Sequence, residues 1–216
     1  MDEYLKDIQD IKSLMENRAR FLSLSGLSGI LAGLYALIGA YIGFQMAVNS
    51  QTTAYKDLRN GFLSPIVLKL LAVAAVVLFL SLITAYFFSS RKAKKRNESL
   101  WNKASINALK AFLVPLVTGG IFGLVLLAKG HLALIGPITL IFYGLALYSA
   151  SRYTYRDVAT LGLIEISLGL VSMFFVGEGV YFWAMGFGVM HIIYGTIMYY
   201  KYDRAESSEM SNRKDD

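Results

Sequence analysis

The stretch LGLIEISLGLVSMFFVGEGVYFWAMGFGVMHIIYG, residues 161–195, is almost entirely apolar and is interrupted by one short polar turn. The turn is Gly177-Glu178-Gly179, and an apolar run lies on either side of it. With the residues that flank this stretch, each run reaches roughly the 17–25 residues with which a helix crosses a bilayer. The stretch therefore predicts two membrane-spanning helices joined by a tight hairpin.

The whole chain has the composition of a membrane protein. Of its 216 residues, 56% are apolar and 17% are charged, against about 45–50% and about 25% in typical globular chains. The period-2 alternation of membrane β-strands is absent from the apolar blocks. We predict an all-α integral membrane bundle of six transmembrane helices. The predicted spans are residues 21–47, 66–88, 111–128, 132–150, 158–176 and 180–200.

The transmembrane domain, residues 21–200, is flanked by two polar segments. Residues 1–20 form a charged arm whose apolar side chains recur every three or four residues, which predicts an amphipathic helix. Residues 201–216 read as a polar, disordered tail. We expect residues 1–19 to pair with a second copy of the chain, lie on the inner leaflet or bind a cytoplasmic partner; the alternative is that they fold back onto the protein's own inner loops. The first apolar run is too long for a cleavable signal peptide and predicts a retained anchor.

Basic residues set the predicted orientation. Seventeen of the 21 Lys and Arg residues lie in the arm, the tail and the loops after spans two and four, whereas Lys56, Arg59 and Lys129 lie on the other side. Lys69 lies near the outer end of span two. By the positive-inside rule, both termini are cytoplasmic, and we expect a multi-pass protein of the cytoplasmic (inner) membrane. The net charge of +6 then marks the cytoplasmic face and does not indicate nucleic-acid binding.

The densest basic cluster is RKAKKR, residues 91–96. Lysine and arginine clusters next to a transmembrane helix bind anionic lipid headgroups. The cluster therefore predicts a headgroup site, with a role in topology alone as the alternative. Its members are Arg91, Lys92, Lys94, Lys95 and Arg96.

Glu165 and His191 are the notable polar residues of the last two spans. Each lies thirteen residues from Glu178 at the turn, so the hairpin places both at one depth, on the order of 12 Å inside the cytoplasmic boundary. Both lie on stripes of small residues, which are packing faces of membrane helices. We therefore expect the two side chains to touch or to bridge through a water molecule.

This pair is informative because an ionised carboxylate alone at that depth costs several kcal/mol. Glu165 must then be protonated or paired, and the two residues should titrate as one unit. The pattern indicates a proton-linked or cation-binding site that faces a cytoplasmic cavity. The alternative is a polar clamp between spans five and six. Hydroxyl groups expected to join the site are those of Tyr194, Ser167, Thr139 and Tyr143.

Other chemistries find little support in the sequence. There are no cysteines and only two histidines, so neither a metal site nor a cofactor site is predicted, and no catalytic residue is assigned. His131 is expected to be a solvated loop residue. No Walker loop, dinucleotide fingerprint or metalloprotease helix is present.

One enzymatic alternative comes from Gly26-Leu27-Ser28-Gly29. Ser28 is predicted close to the depth of Glu165 and His191, so the three residues would form a nucleophile, base and orienter. The motif with His191 resembles the G-x-S-G and histidine pairing of rhomboid proteases, which implies intramembrane hydrolysis. That family carries its serine on the fourth core span, whereas Ser28 lies on the first.

The arm running into NRARFLSLSGLSGILAG and the sixth span ending in HIIYG resemble a poorly characterised group of small six-span bacterial inner-membrane proteins. The resemblance implies the fold and no activity. From Glu165 and His191, read as a proton- or cation-responsive pair, we expect a small transporter or channel-like protein. The alternatives are a non-catalytic membrane scaffold or regulatory subunit, acting through the arm and basic loop, and an intramembrane serine hydrolase.

Overall fold

The computed structural model describes residues 24–49, 64–95, 99–175 and 177–204, and within these ranges all regular structure is helical. The prediction of an all-α fold is confirmed. The predicted arm, Arg96 and residues 205–216 lie outside the described residues. The helices are α1 (Gly26–Asn49), α2 (Pro65–Lys95), α3 (Lys103–Ala128), α4 (Ile135–Ala150), α5 (Asp157–Ser172) and α6 (Gly179–Arg204).

Five of these helices are long and apolar enough to cross a membrane; for α4 this counts the 3₁₀ turns at its two ends. The exception is α5, which has 16 residues and ends at Ser172 rather than at residue 176. At 1.5 Å per residue, α5 is about 24 Å long, shorter than the roughly 30 Å hydrocarbon core of a bilayer. The helix that carries Glu165 is therefore shorter than each of the five segments of spanning length, including α4 with its 3₁₀ turns.

Three helices extend several residues beyond their predicted ends, because an apolar pattern marks the apolar part of a span and not the ends of its helix. Helix α2 continues through Lys95, so the first basic residues of the predicted loop are helical. Helix α3 starts at Lys103, where Asn102 and Ser105 form a reciprocal capping box. Helix α6 continues through Arg204, which makes the first four residues of the predicted tail helical.

The helices pack in an open series. Helix α1 lies between α2 and α6, α6 also contacts α4 and α5, and α4 lies against α5 and α3. Helices α2 and α3 are at the two edges, and many of their apolar side chains are exposed. Helices α4, α5 and α6 therefore enclose the position where Glu165 and His191 were expected to meet.

Glycines set the closest helix contacts. A Cβ atom on Gly195 of α6 would lie 2.6 Å from the Ile30 nitrogen and 2.7 Å from the Gly26 oxygen of α1. On the other side of the bundle, a Cβ on Gly162 of α5 would lie 2.7 Å from the Gly144 oxygen of α4. Because the opposing atoms are backbone, only residues without a side chain allow these approaches.

A polar cluster joins α1, α2 and α6 at one end of the bundle. The Lys92 ammonium donates to Asp203 Oδ1 at 2.6 Å and to the Leu24 carbonyl at 3.0 Å. Asp203 Oδ2 accepts from Ser25 Oγ at 3.1 Å and from the Gly26 amide at 2.9 Å. We call Lys92, Asp203 and the start of α1 (Leu24 to Gly26) the terminal clamp, because it ties the first turn of α1 to the last turns of α2 and α6.

Gly195→Ala should lower the stability of the bundle by about 1–3 kcal/mol, since a methyl group would collide with the α1 backbone. Gly123→Ala is the matched control, because nothing lies within 4 Å of a Cβ at Gly123. Thermal unfolding in one detergent measures both variants. An equal melting temperature for the two variants would contradict the close contact between Gly195 and the backbone of α1.

Lys92→Met should destabilise the protein by about 3–5 kcal/mol, because it removes the Lys92 ammonium from the largely buried Asp203 carboxylate. Lys94→Met, on the exposed face of the same helix turn, should stay within about 0.5 kcal/mol of the parent. Denaturant titration in micelles would measure both. Parent-like stability of Lys92→Met would mean that the terminal clamp is dispensable.

Candidate functional site

Glu165 lies on the buried face of α5. Gly162, Gly169 and Ser172 lie on that face, as their three- and four-residue spacing predicts, and Val158 and Leu161 are buried with them. These small residues let α5 approach α4, and the approach encloses the longer glutamate side chain. Glu165 is 0% exposed, so its carboxyl group is sealed inside the protein.

His191 faces Glu165 from α6. Its Nδ1 atom lies 3.4 Å from Glu165 Oε1, which is ion-pair range but longer than the usual 2.7–3.2 Å hydrogen bond. The same Nδ1 atom lies 3.0 Å from the Gly186 carbonyl oxygen. Since a carbonyl oxygen only accepts, Nδ1 carries a proton and donates it to Gly186.

A change of helix type produces this second contact. Residues Ala184–Met190 of α6 form a π-helix, and His191 follows directly. Five-residue spacing in a π-helix brings Gly186 and His191 to one side of the helix, whereas α-helical spacing would place Phe187 and Gly188 next to His191. Such π-helical segments occur frequently at functional sites.

Tyr143 of α4 completes the group. Its hydroxyl lies 2.8 Å from His191 Nε2. With Nδ1 protonated, a neutral ring accepts from the tyrosine at Nε2, and a charged ring donates to it. Tyr143 also contacts Phe187 and Phe112 through its ring, so three helices fix its position. We refer to Glu165, His191 and Tyr143 as the buried triad.

The carboxyl group of Glu165 lacks nearby hydrogen-bond donors. Among the described residues neither of its oxygens has a hydrogen-bond partner. The lack of a side chain at Gly186 makes room for the group, because a Cβ there would collide with Glu165 Oε2. An ionised carboxylate so placed would lack the donors that repay its desolvation. The arrangement therefore fits a protonated Glu165 beside a neutral imidazole.

Three other hydroxyls predicted for the site lie differently. Thr139 Oγ1 donates to the Gly136 carbonyl of its own helix at 2.8 Å. Ser167 is exposed on the opposite face of α5 and donates to the Leu163 carbonyl, so its assignment to the site was wrong. The error arose because Ser167 is close to Glu165 in sequence, but two residues along a helix turn a side chain away. The Tyr194 hydroxyl is buried and has no hydrogen-bond partner among the described residues.

An open groove runs along the outer face of α5, but it does not lead to the triad. Its lining residues are Thr160, Leu163, Ile164, Ser167, Leu168 and Val171, and neither Glu165 nor His191 is among them. A cytoplasmic cavity next to the pair was expected. In this conformation the triad is instead a closely packed seam between α4, α5 and α6.

The Ser28 triad is not formed. Both ring nitrogens of His191 have other partners, Tyr143 and Gly186. Ser28 Oγ donates to the Ser25 carbonyl of its own first turn at 2.7 Å. The glycine-rich stretch around Ser28 packs on α6 instead, since Gly29 lies against Gly195. The resemblance to rhomboid proteases is therefore one of sequence form alone.

The basic cluster divides into two faces. Arg91, Lys94 and Lys95 are exposed at the end of α2, whereas Lys92 is buried in the terminal clamp. Its inclusion among residues that face a lipid surface was wrong, because Lys92 lies on the buried face of α2 together with Ser89 and Ala93 and reaches Asp203. Within the described parts of the chain, no group of three or more His, Cys, Asp or Glu residues is placed to hold a metal ion.

Sequence reasoning missed Gly186 and the terminal clamp. The glycines at 186 and 188, just before His191, are the available signal for an irregular helix. Regular α-helical periodicity does not predict that irregularity. Asp203 lay in a segment read as tail. No family model, curated protein or solved structure matches this chain, so the site is assigned on its geometry alone.

Tyr143→Phe should destabilise the protein by about 1–3 kcal/mol, because it leaves the buried Nε2 atom of His191 without a partner. Tyr148→Phe is the control, since Tyr148 lies on the same helix and is exposed. Thermal unfolding reports stability, and ¹⁵N-histidine NMR reports the His191 tautomer. If Tyr143→Phe changes neither the stability nor the His191 tautomer, the 2.8 Å contact between the Tyr143 hydroxyl and Nε2 does not fix the state of the imidazole ring.

Proposed function

We propose that this chain is a small transporter or channel-like protein of the cytoplasmic membrane, in which the buried triad binds and releases a proton or a small cation. It has six transmembrane helices and cytoplasmic termini. Five helices of spanning length and the strong asymmetry of basic residues support this topology. The short α5, which packs against α4, completes the sixth crossing.

One observation carries the proposal: Glu165 is fully buried, yet its carboxyl oxygens have no hydrogen-bond donor among the described residues. A carboxyl group that served only to clamp two helices would be expected to make the hydrogen bonds that repay its burial. Here the nearest donor, His191 Nδ1, is 3.4 Å away and already engaged. Buried ionisable groups of membrane helices mark ion and proton pathways.

The sealed seam corresponds to a closed state of such a site. Helix α5 packs extensively on α4 and touches α6 over a small area. Parting α5 from α6 would expose the carboxyl group to one side of the membrane while α4 and α5 stay together. Deprotonated Glu165 would then attract the Nδ1 proton of His191, whereas protonated Glu165 permits the closed packing. Proton binding would in this way favour closure.

A second candidate is a membrane scaffold or regulatory subunit, and the terminal clamp favours it. Leu24, Ser25 and Gly26 lie a few residues beyond the arm in the sequence and are held by Lys92 and Asp203. In this candidate function, residues 1–19 bind a second copy of the chain or a cytoplasmic partner, and the terminal clamp holds the start of α1. The exposed Arg91, Lys94 and Lys95 would bind anionic lipid headgroups beside it. Deleting residues 1–19 should abolish binding of the partner or second copy and leave ion flux intact.

The deciding experiment is ion flux in proteoliposomes under an imposed membrane potential, with H⁺, Na⁺ and K⁺ tested one at a time. The parent protein should raise the flux of at least one cation above that of empty vesicles. Glu165→Gln should reduce that flux by about tenfold or more, because it removes the only titratable carboxyl group within the predicted spans.

Ser167→Ala provides the control, because it alters a hydroxyl on the same helix that faces away from the triad. It should retain the parent flux. Flux equal to that of empty vesicles for all three cations would overturn the transport proposal. Equal flux in Glu165→Gln and the parent would remove the triad from the pathway.

A further inference from the structure

Helices α5 and α6 separate toward the end of the bundle where α5 begins and α6 ends. Asp157, the first residue of α5, bonds with Lys201 near the end of α6, so the two helices are antiparallel. Their backbones approach each other along Gly179–Met190, the first half of α6, rather than along the second half. Side chains must therefore fill the interval between the helices next to the start of α5.

Four side chains fill this interval, and we call them the plug: Tyr155, Val158, Tyr194 and Met198. Three of them are buried, and Tyr194 packs against those three. Along α5, Val158 lies seven residues before Glu165, which is about 10 Å. Along α6, Met198 lies the same distance beyond His191. The plug therefore lies between the buried triad and this end of the bundle.

A hydrogen-bonded group lies next to the plug on its solvent side. Asp157 Oδ2 accepts from Lys201 Nζ at 2.8 Å and from the Tyr202 hydroxyl at 2.8 Å. The Tyr202 ring packs on the ring of Tyr155 in the plug, with 4.1 Å between their centroids. We call Asp157, Lys201 and Tyr202 the latch, because they join the start of α5 to the end of α6.

The latch differs from the terminal clamp in its exposure. The side chains of Lys201 and Asp157 are 54% and 28% exposed, whereas those of Lys92 and Asp203 are 9% and 13% exposed. Water competes for exposed charges and salt screens them, so an exposed ion pair adds little to stability. The latch can therefore open at low cost while the terminal clamp keeps α1, α2 and α6 together.

We propose that the latch is a gate that controls access to the buried triad. While Asp157 is bonded to Lys201 and Tyr202, the plug is held closed between α5 and α6. Release of Asp157 lets the start of α5 part from α6, so that water reaches Glu165. The inference rests on the proposed function and adds to it the regulation of the site. The proposed topology places this gate on the cytoplasmic side.

The test measures the reactivity of a single thiol, because the chain has no cysteine of its own. Val158→Cys introduces that thiol into the plug with little change in side-chain volume. A water-soluble maleimide is added to the full chain in nanodiscs, and the labelling rate is followed. In the Val158→Cys background, Asp157→Asn and Lys201→Met should each raise the rate by about fivefold or more, because each removes the ion pair of the latch.

Charge effects on the thiol itself are distinguishable from opening. Loss of the Asp157 charge favours the reactive thiolate, whereas loss of the Lys201 charge disfavours it. A faster reaction in both variants therefore reports opening. Tyr202→Phe changes no charge and removes one donor to Asp157, so it should raise the rate by a smaller factor. Arg156→Gln is the matched control, since Arg156 is exposed at the same end and lies outside the latch; it should not raise the rate.

The outcomes separate the gate from the proposed function. Equal labelling rates with and without Asp157→Asn would overturn the gate, and so would a slower rate in Lys201→Met. If the latch variants label faster but the parent carries no cation flux in proteoliposomes, the latch stands as a seal of the bundle and the transport proposal falls. If the parent carries flux and the latch variants label like the background, transport stands and the gate falls.

Discussion

The burial of one carboxyl group organises the core of this protein. Glu165 occupies a place where a Cβ on Gly186 would collide with it, and no exposed surface remains on the residue. To enclose a glutamate so completely, α4, α5 and α6 must come together around it. The glycines of these helices permit that approach, because they allow backbone atoms to meet where side chains would hold the helices apart.

The same constraint explains the irregularity of α6. A regular α-helix would present Ala184 or Gly188 on the face of His191, whereas the π-helical segment Ala184–Met190 brings Gly186 there. The Gly186 carbonyl there accepts from His191 Nδ1, which fixes the tautomer, and the missing side chain of Gly186 leaves the space that Glu165 fills. Helix distortion, imidazole tautomer and carboxyl burial are thus three consequences of one packing arrangement.

The sequence predicted the fold class and the pairing of Glu165 with His191 because both follow from simple spacing. Apolar run length identifies the helices, and equal distance from Glu178 brings the two residues to one depth. Tyr143 was also expected at the site. Ser167 and Lys92 were misplaced because a side chain's direction depends on which helix face packs, and composition does not reveal that face. The π-helical segment and the capping box at Asn102 depend on local hydrogen bonds that a periodic pattern does not encode.

The two polar groupings of the bundle differ in a way that bears on function. In the terminal clamp, Lys92 and Asp203 satisfy each other at 2.6 Å and bind backbone groups as well. In the buried triad, Glu165 is the more deeply buried acid and has the fewer partners. A well-satisfied ion pair stabilises a single arrangement, whereas an under-satisfied acid gains by any rearrangement that offers it a donor, water or a cation. We therefore expect the terminal clamp to keep one arrangement, and the packing around Glu165 to be the part of the bundle that rearranges.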